Sequence, residues 1–230
     1  QIKNKILSII ICLLSLCVFS LNLQAEEFNI SAIEVSIDKK NDILIGKGSV
    51  RVTDMEGKLI TADKVTYEKS KEFLIAEGSV EVTDIVGNIL KTDKVTYDKI
   101  KEIIITYGHS IFEISEGYKL ISNNILYDAT KKIVSSNQNS TLTDLDGNVV
   151  TVNMFQYHIE KNLFSSVGKI KIIDESKNKY FFKELHVDTK KKEMIGSDVS
   201  VWLDQENFGV SKENDPRFVA NDILMSKNKS

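Results

Sequence analysis

The chain has 230 residues, with 30 basic and 33 acidic side chains, two cysteines and a formal net charge of −3. This length suits one domain or an elongated array of repeats. The charge argues against a nucleic-acid partner, because binding phosphates needs a clustered basic surface, whereas the charged residues here are interspersed along the sequence.

The first 25 residues have the pattern of a secretory signal peptide. Lys3 and Lys5 precede an apolar run over residues 6–21, and Ala25 is a small residue suited to cleavage before Glu26. The run is short and contains serines, so a retained membrane anchor is the less favoured alternative. We therefore expect an exported protein whose mature chain begins near Glu26.

Both cysteines, Cys12 and Cys17, lie within this leader. The exported domain, expected over residues 26–210, then has no disulfide and no metal thiolate. Its apolar core must be sufficient to hold it together.

The sequence repeats itself every thirty residues. The segment Gly48 to Asp54 returns as Gly78 to Asp84, and Ala62 to Glu68 returns as Thr92 to Asp98 and more loosely as residues 122–128. One column of the repeat is aromatic, and its members are Tyr67, Tyr97, Tyr127 and Tyr157. A second column is apolar in six copies, which predicts a core-facing strand position; its members are Val52, Val82, Phe112, Leu142, Ile172 and Trp202.

A third column has the chemistry of tight turns. Aspartate at the first position and glycine at the fourth is typical of a type I turn. The aspartates are Asp54, Asp84, Asp144, Asp174 and Asp204, and three residues after them stand Gly57, Gly87, Gly147, Lys177 and Asn207. Each copy is therefore expected to contain a hairpin.

Apolar residues alternate with polar ones around these turns, which predicts half-buried antiparallel strands and very little helix. The apolar phase switches from even to odd positions in the middle of each copy, beside Asp63, Asp93, Asn123 and Asn153. Such a switch needs a bulge or a corner. We predict an all-β fold of five to six antiparallel repeats that curve into an open roll with a continuous apolar interior.

The polar residues give little support for catalysis or metal binding. The Asp63 column drifts to Asn123, Asn153 and Lys183, whereas a working carboxylate would have to keep its charge. His109, His158 and His186 lack metal-ligand spacing, and we expect His158 to point to solvent. No nucleophile motif or phosphate-binding glycine loop stands out, so we expect no enzyme, no metal and no cofactor.

The apolar ladder next to the switch carries the functional hypothesis. Its members are Val65, Val95, Ile125, Phe155 and Leu185. If the roll is open, this ladder and the column of Val52, Val82, Phe112 and Leu142 form a groove suited to acyl chains. If the roll is closed, the same residues are core, and both alternatives stay open. For the tyrosine column we favour plain sheet packing over stacking on a ligand.

These motifs resemble the OstA-like N-terminal domain shared by lipopolysaccharide-transport proteins, in which glycine-x-valine strands alternate with an x-A-D-x-V-x-Y-x motif. The matching segments are Gly48 to Asp54 and Thr61 to Glu68, and the resemblance extends over about Ile30 to Val210. It implies a periplasmic β-jellyroll at the outer membrane, with lipid A acyl chains in its interior. It also implies edge-strand pairing with an LptA-type jellyroll and, in a full-length outer-membrane member, an LptE-type lipoprotein partner.

The segment from Asn207 to Arg217 resembles the junction between the jellyroll and the outer-membrane barrel of one family member. Residues 211–230 are then expected to begin a following barrel region that this chain lacks. Three interpretations stay open: the jellyroll of the barrel-bearing member, the small periplasmic bridge member, and a structural or adhesive β-solenoid without bound lipid.

Overall fold

The computed structural model describes residues 28–55, 57–113, 117–191, 193–204 and 217–226. The predicted signal peptide lies outside these ranges, as does residue 210, at which we placed the domain boundary. Within the described residues the chain is all β, as predicted, and the 3₁₀ turn Lys69–Lys71 is their sole helical element. The same residues contain no helix that is long and apolar enough to cross a membrane.

The strands form one antiparallel sheet in which each strand position pairs with the next along the chain. They are β1 (Phe28–Ser31), β2 (Glu34–Asp38), β3 (Ile43–Asp54), β4 (Leu59–Glu68), β5 (Phe73–Thr83), β6 (Ile89–Asp98), β7 (Ile103–Glu113), β8 (Lys119–Asn123), β9 (Leu126–Asp128), β10 (Ile133–Ser136), β11 (Ser140–Thr143), β12 (Val149–Val152), β13 (Phe155–His158), β14 (Leu163–Ile173), β15 (Lys179–Asp188), β16 (Glu193–Trp202) and β17 (Arg217–Ser226).

In several places two short strands lie end to end and together pair with one long strand. We call each such pair, or each long strand, one strand position. β1 pairs with the second half of β3 and β2 pairs with its first half. In the same way β8 and β9 both pair with β7, and β12 and β13 both pair with β14. The break always falls in the middle of the position, where the longer strands carry a bulge.

The bulge is built by residues with positive φ. In β3 the register shifts between Lys47 and Val50, and the two residues between them, Gly48 and Ser49, have φ of 73° and 47°. Gly78 and Ser79 repeat this geometry in β5. Glycine adopts positive φ without a steric penalty, and the extra residue reverses which face the following side chains occupy. The predicted phase switch beside Asp63 and Asp93 is confirmed.

The bulges divide every strand position into two limbs. The A limb comprises residues 28–31, 50–55, 57–62, 80–92, 110–113, 117–122, 140–152, 170–182, 199–202 and 217–220, and the B limb comprises residues 34–47, 64–77, 94–107, 125–136, 155–167, 184–191, 193–197 and 222–226. The limbs face each other, because each of the two apolar clusters contains buried residues of both. One cluster joins Val52 of the A limb to Leu74 of the B limb, and the other joins Val201 to Leu185. The sheet is therefore a bent roll with an inner floor at the bulges.

The A-limb hairpins have the predicted turn chemistry. The Asp84 carboxylate accepts the N–H groups of Val86 and Asn88 at 3.0 and 2.9 Å, and the Gly87 N–H donates to the Asp84 carbonyl at 3.2 Å. Asp144 and Asp174 repeat this arrangement. The turn expected from Asp204 to Asn207 falls partly outside the described residues.

Each repeat has a second hairpin, at the end of the B limb, which the sequence analysis did not identify. In the copy that follows β6, the Asp98 carboxylate accepts the Lys101 N–H at 3.0 Å, and the Glu102 N–H donates to the Lys99 carbonyl at 3.2 Å. Two hairpins per thirty residues explain why the chain returns to the same rim of the roll with that period.

One expectation about the C-terminal part needs correction. Trp202 is not core-facing, since Val201 is fully buried while Trp202 is 36% exposed. β16 has no register shift where β3 and β5 have one, and it bends at the single positive-φ residue Asp198. The side chains after this bend are therefore displaced by one position relative to the earlier copies. In addition, β17 pairs with β16 along its length, so the sheet continues beyond residue 210. That residues 211–230 lead into a barrel region stays a prediction.

Candidate functional site

The ladder predicted to line a groove forms the floor of the roll. Val65, Val95, Ile125, Phe155 and Leu185 are 0 to 6% exposed, and Val52 is 1% exposed. These side chains are inward-facing, as the alternation predicted, but they pack against one another where the strands bend. In this structure the floor is closed core.

The accessible apolar surface lies farther from the bend, towards the hairpins. There both limbs present half-buried side chains to the space between them. On the A limb these are Ile60, Val82, Leu90, Phe112, Leu142, Val150, Ile172 and Tyr180, and on the B limb they are Tyr97, Ile104, Tyr127, Val134, Tyr157, Phe164, Val187 and Met194. We call this double row the mouth of the roll. Of the nine predicted groove residues, Val82, Phe112 and Leu142 belong to it.

The tyrosine column belongs to the mouth as well. We favoured plain sheet packing for it, and that interpretation stays a prediction. Tyr97, Tyr127 and Tyr157 are half-buried and face the space between the limbs. Tyr67 is buried because Phe28, from the opposite limb, covers it with ring centroids 5.2 Å apart in an edge-on arrangement. Phe28 also meets Tyr97 at 6.4 Å. Phe28 therefore covers the mouth at Tyr67 and Tyr97.

A band of hydroxyl groups divides the floor. Ser110 donates to Thr106 at 2.8 Å and is 3.0 Å from Thr92, while Ser122 is 2.7 Å from Ser140 and 3.0 Å from Ser136. These six residues are at most 7% exposed and separate the two apolar clusters. The expectation of a continuous apolar interior is therefore wrong at the floor. The signal was present in the sequence, where the columns of Val50 and Ala62 change to serine and threonine in the middle copies.

The mouth carries one strongly perturbed ionisable group. Burial raises the pKa of Tyr180 to about 12, and the Asp174 carboxylate, which accepts the Tyr180 hydroxyl at 2.9 Å, acts in the same direction. Tyr180 is therefore a neutral hydrogen-bond donor at physiological pH, fixed to the turn at the end of its limb.

The repeated aspartates do not converge on a site. Asp63 packs against Gly78 on the neighbouring strand, and Asp93 stands near Gly108 in the next copy. Among the described residues no three histidine, cysteine, aspartate or glutamate side chains are grouped in a way that would hold a metal.

His158 does not simply point to solvent. Its side chain is half-buried, and its Nδ1 atom is buried without a hydrogen-bond partner among the described residues. It occupies the position at which Asp98 and Asp128 accept turn N–H groups, and an imidazole is too differently shaped to replace a carboxylate there.

The outer face of the B limb contains a hydrogen-bonded chain that the sequence analysis missed. The Ser165 hydroxyl is 2.9 Å from His186 Nδ1, and His186 Nε2 is 2.9 Å from Glu184. Ser165 and His186 are direct cross-strand partners, and Glu184 is two residues from His186 on the same face. The three side chains lie on an open sheet surface, and acyl transfer would also need preorganised donors for an oxyanion. The arrangement acts as cross-strand hydrogen bonding.

No protein-family model matches this chain, and no curated protein matches it. Among solved structures, the chain is similar to LptH from Pseudomonas aeruginosa, described as the LptA-homologous periplasmic component of a lipopolysaccharide transport device. The identity is 13%, the match covers 84% of this chain and 93% of that chain, and the TM-score is 0.21. At that score the likeness carries no argument about the function of this chain.

Proposed function

We propose that this chain is a lipid-carrying β-roll of the periplasm, which holds the acyl chains of lipopolysaccharide in its mouth on their way to the outer membrane. The observation that carries the proposal is the double row of half-buried apolar residues that both limbs present along the roll. Burying each CH₂ group of an acyl chain there contributes about 0.8 kcal/mol. No catalytic step is part of this function.

The dimensions of the roll suit this role. The described residues form thirteen strand positions, which extend over roughly 60 Å at a spacing of about 4.8 Å. A ligand chain laid in the mouth contacts several strand positions at once, and the lining continues from Ile104 to Met194 with the same inward register. An acyl chain of the ligand can therefore move along the lining without leaving apolar surroundings.

The ends of the sheet support assembly into a longer conduit. Within the described residues β2 pairs only with β3, and β17 pairs only with β16, so each strand has one unpaired edge. Val35 and Ile37 of β2 face inward but are 47% and 63% exposed. An LptA-type jellyroll that adds a strand at such an edge would cover these side chains and prolong the groove.

Within lipopolysaccharide transport, we favour the jellyroll of the assembly protein LptD over the bridge protein LptA, on the resemblance of the segment from Asn207 to Arg217 to the LptD junction. An LptE-type lipoprotein is then a partner at the outer membrane. Sequencing the gene beyond the codon for Ser230 tests this choice, because LptD requires a long run of barrel strands there.

The competing function is a structural roll without bound lipid. It is favoured by the closed floor, since Val65 and Leu185 are almost completely buried. The two functions differ in whether the mouth is occupied in the cell.

A photo-crosslinking amino acid placed in the mouth, on the floor and on the outer face distinguishes the two functions. We expect crosslinks to lipopolysaccharide at Phe112 and Tyr127 in the mouth and none at the outward-facing Arg51. Val95, on the floor, reports whether the limbs part, and a crosslink there would mean that the chains enter deeper than the mouth. Mouth variants that fold normally but remain free of lipid in cells with normal lipopolysaccharide synthesis would leave the structural roll as the function.

A further inference from the structure

The two rims of the mouth have opposite chemistry, although the charges are interspersed in the sequence. Every second hairpin of the meander falls on the same rim, so residues thirty apart come together. The loops of the B limb are residues 39–42, 69–72, 99–102, 129–132, 159–162 and 189–191, and those of the A limb are residues 55, 57–58, 84–88, 117–118, 144–148 and 174–178.

Lysine is concentrated in the B-limb loops. Eleven lysines and four acidic residues lie in these loops, and five further carboxylates, of Asp38, Glu68, Asp98, Asp128 and Asp188, stand at the strand ends before them. The lysines are Lys39, Lys40, Lys69, Lys71, Lys99, Lys101, Lys131, Lys132, Lys161, Lys190 and Lys191. We call them the lysine row. The described A-limb loops contain only Lys58 and Lys177, against five acidic residues.

The opposite rim is acidic and aliphatic. Met55, Ile85 and Leu145 recur at its hairpin tips and are 75 to 77% exposed. Ile85 packs over Gly57 of the preceding hairpin, and Leu145 packs over Gly117, so these tips are stacked along the rim. A headgroup with negative charge is repelled from this side of the mouth and attracted to the other.

Backbone hydrogen bonds connect successive loops of the lysine row. The N–H that follows each B-limb strand donates to the last carbonyl of the preceding loop, as from Lys69 to Asp42, from Lys99 to Glu72 and from Ile159 to Lys132, at 2.9 to 3.1 Å. Successive loops of one rim are two strands apart, which is about 10 Å. The lysines therefore recur along the mouth at a regular interval.

Part of the row is neutralised and part is free. The acidic residues at the strand ends are occupied by the turns themselves: Asp98 pairs with Lys101 at 2.7 Å and Asp128 pairs with Lys131 at 2.7 Å. The ammonium groups of six other lysines in the row form no ion pair with an acidic side chain among the described residues. These belong to Lys39, Lys40, Lys69, Lys132, Lys161 and Lys190.

We propose that the lysine row binds the phosphate-bearing headgroup of the amphiphile whose chains lie in the mouth. The inference rests on the proposed function and extends it to the orientation of the ligand, with its chains between the limbs and its anionic group on the B-limb rim. Lysine binds phosphate as a mobile point charge, so a ligand can pass from one hairpin to the next without breaking a fixed geometry.

The test compares two triple variants of equal charge in the full chain. The row variant is Lys69→Gln, Lys132→Gln and Lys190→Gln, which removes free lysines from three hairpins. The matched control is Lys47→Gln, Lys169→Gln and Lys179→Gln, which removes exposed lysines outside the row. Thermal unfolding by circular dichroism verifies that both remain folded.

Titration calorimetry then measures binding of dodecyl phosphate, an uncharged dodecyl glycoside and inorganic phosphate. We expect the unmodified chain and the control to prefer the alkyl phosphate over the glycoside, and the row variant to lose about tenfold in affinity for the alkyl phosphate alone. We expect inorganic phosphate to bind far more weakly than the alkyl phosphate, because the headgroup contact acts together with the chain.

Equal affinity of the row variant and the control for dodecyl phosphate would overturn the inference. Inorganic phosphate that binds as tightly as the alkyl phosphate would also overturn it, since the row would then be an anion site unrelated to the mouth. Binding of both amphiphiles without preference leaves the proposed function standing while this inference fails. Absence of binding by either amphiphile contradicts both.

Discussion

Asp63 stands directly against Gly78 of the neighbouring strand, so closely that a Cβ atom added to the glycine would lie 2.3 Å from the Asp63 carboxylate oxygen Oδ2 and 2.9 Å from its Cβ. The repeated aspartate and the repeated glycine therefore lie side by side on neighbouring strands, at the bend that separates the limbs. Asparagine has nearly the same side-chain shape as aspartate, so the aspartate column can change to asparagine and keep this packing.

We expect Gly78→Ala to destabilise the roll more than Gly147→Ala does. Both glycines have positive φ, at 78° and 85°, so both substitutions incur the same backbone strain. A Cβ at Gly147 meets nothing within 4 Å, whereas one at Gly78 collides with Asp63. Overpacking of this kind costs about 1 to 3 kcal/mol. Urea denaturation measures the difference, and equal losses for the two variants would mean that the bend is freely deformable.

The two apolar clusters are expected to respond independently to substitution. Leu74→Ala and Leu185→Ala each remove a fully buried side chain, one from each cluster, and each should cost about 3 kcal/mol. Because the hydroxyl band lies between the clusters, the double variant should be additive to within about 0.5 kcal/mol. A coupling energy well above that value would show that the floor is a single core.

The hydroxyl band should be sensitive to loss of a single oxygen. Thr106 accepts the Ile125 N–H at 2.9 Å and the Ser110 hydroxyl at 2.8 Å. Thr106→Val keeps the shape but leaves the Ile125 N–H without its acceptor, which costs about 1 to 3 kcal/mol. The Ser110 hydroxyl can still donate to the Gly108 carbonyl, 3.2 Å away. The exposed Thr53→Val is the control and should change the unfolding free energy by less than about 0.5 kcal/mol. Similar stabilities of the two variants would argue against a structural role for the band.

We expect His158→Asp to raise the stability of the protein. The carboxylate would accept turn N–H groups as Asp98 and Asp128 do, and the buried Nδ1 atom without a partner would be removed. The gain should be about 1 kcal/mol, seen as a higher midpoint of thermal unfolding. His158→Ala separates the two effects, because it removes the unpartnered nitrogen without adding an acceptor. A lower midpoint for His158→Asp than for His158→Ala would refute the explanation.

Stability should fall at acidic pH through the carboxylates of the B-limb turns. Hydrogen bonds from Lys101 and Lys131 hold the pKa of Asp98 and of Asp128 below the ordinary aspartate value of 3.8. The backbone N–H of Lys191 does the same for Asp188. Such groups stabilise the fold fully above pH 4, and their contribution is lost as the pH falls through the lowered pKa values. Midpoints of thermal unfolding between pH 2 and 7 measure this loss, and Asp98→Asn with Asp128→Asn should flatten the acidic part of the curve.

The inward face and the bend could be predicted from the sequence, because both depend on residues that are neighbours along the chain. The alternation around Val50 and Val52 gives the inward face, and the switch beside Asp63 gives the bend, because a one-residue change of phase has few physical solutions. The candidate groove residues were accordingly identified as inward-facing. Their accessibility was not readable, since Val65 and Val82 look alike in sequence but lie at different distances from the bend.

The thirty-residue period, the alternation and the aspartate turns by themselves determined an all-β array of hairpins with a bend in every strand position, because strand phase and turn chemistry are properties of neighbouring residues. Tertiary structure alone decided that the limbs face each other, that the floor is closed while the mouth is lined by half-buried side chains, and that Trp202 points outward. It also gathered lysines thirty residues apart onto one rim. The physical reason is that exposure and electrostatic potential depend on what stands across the fold, which no local pattern records.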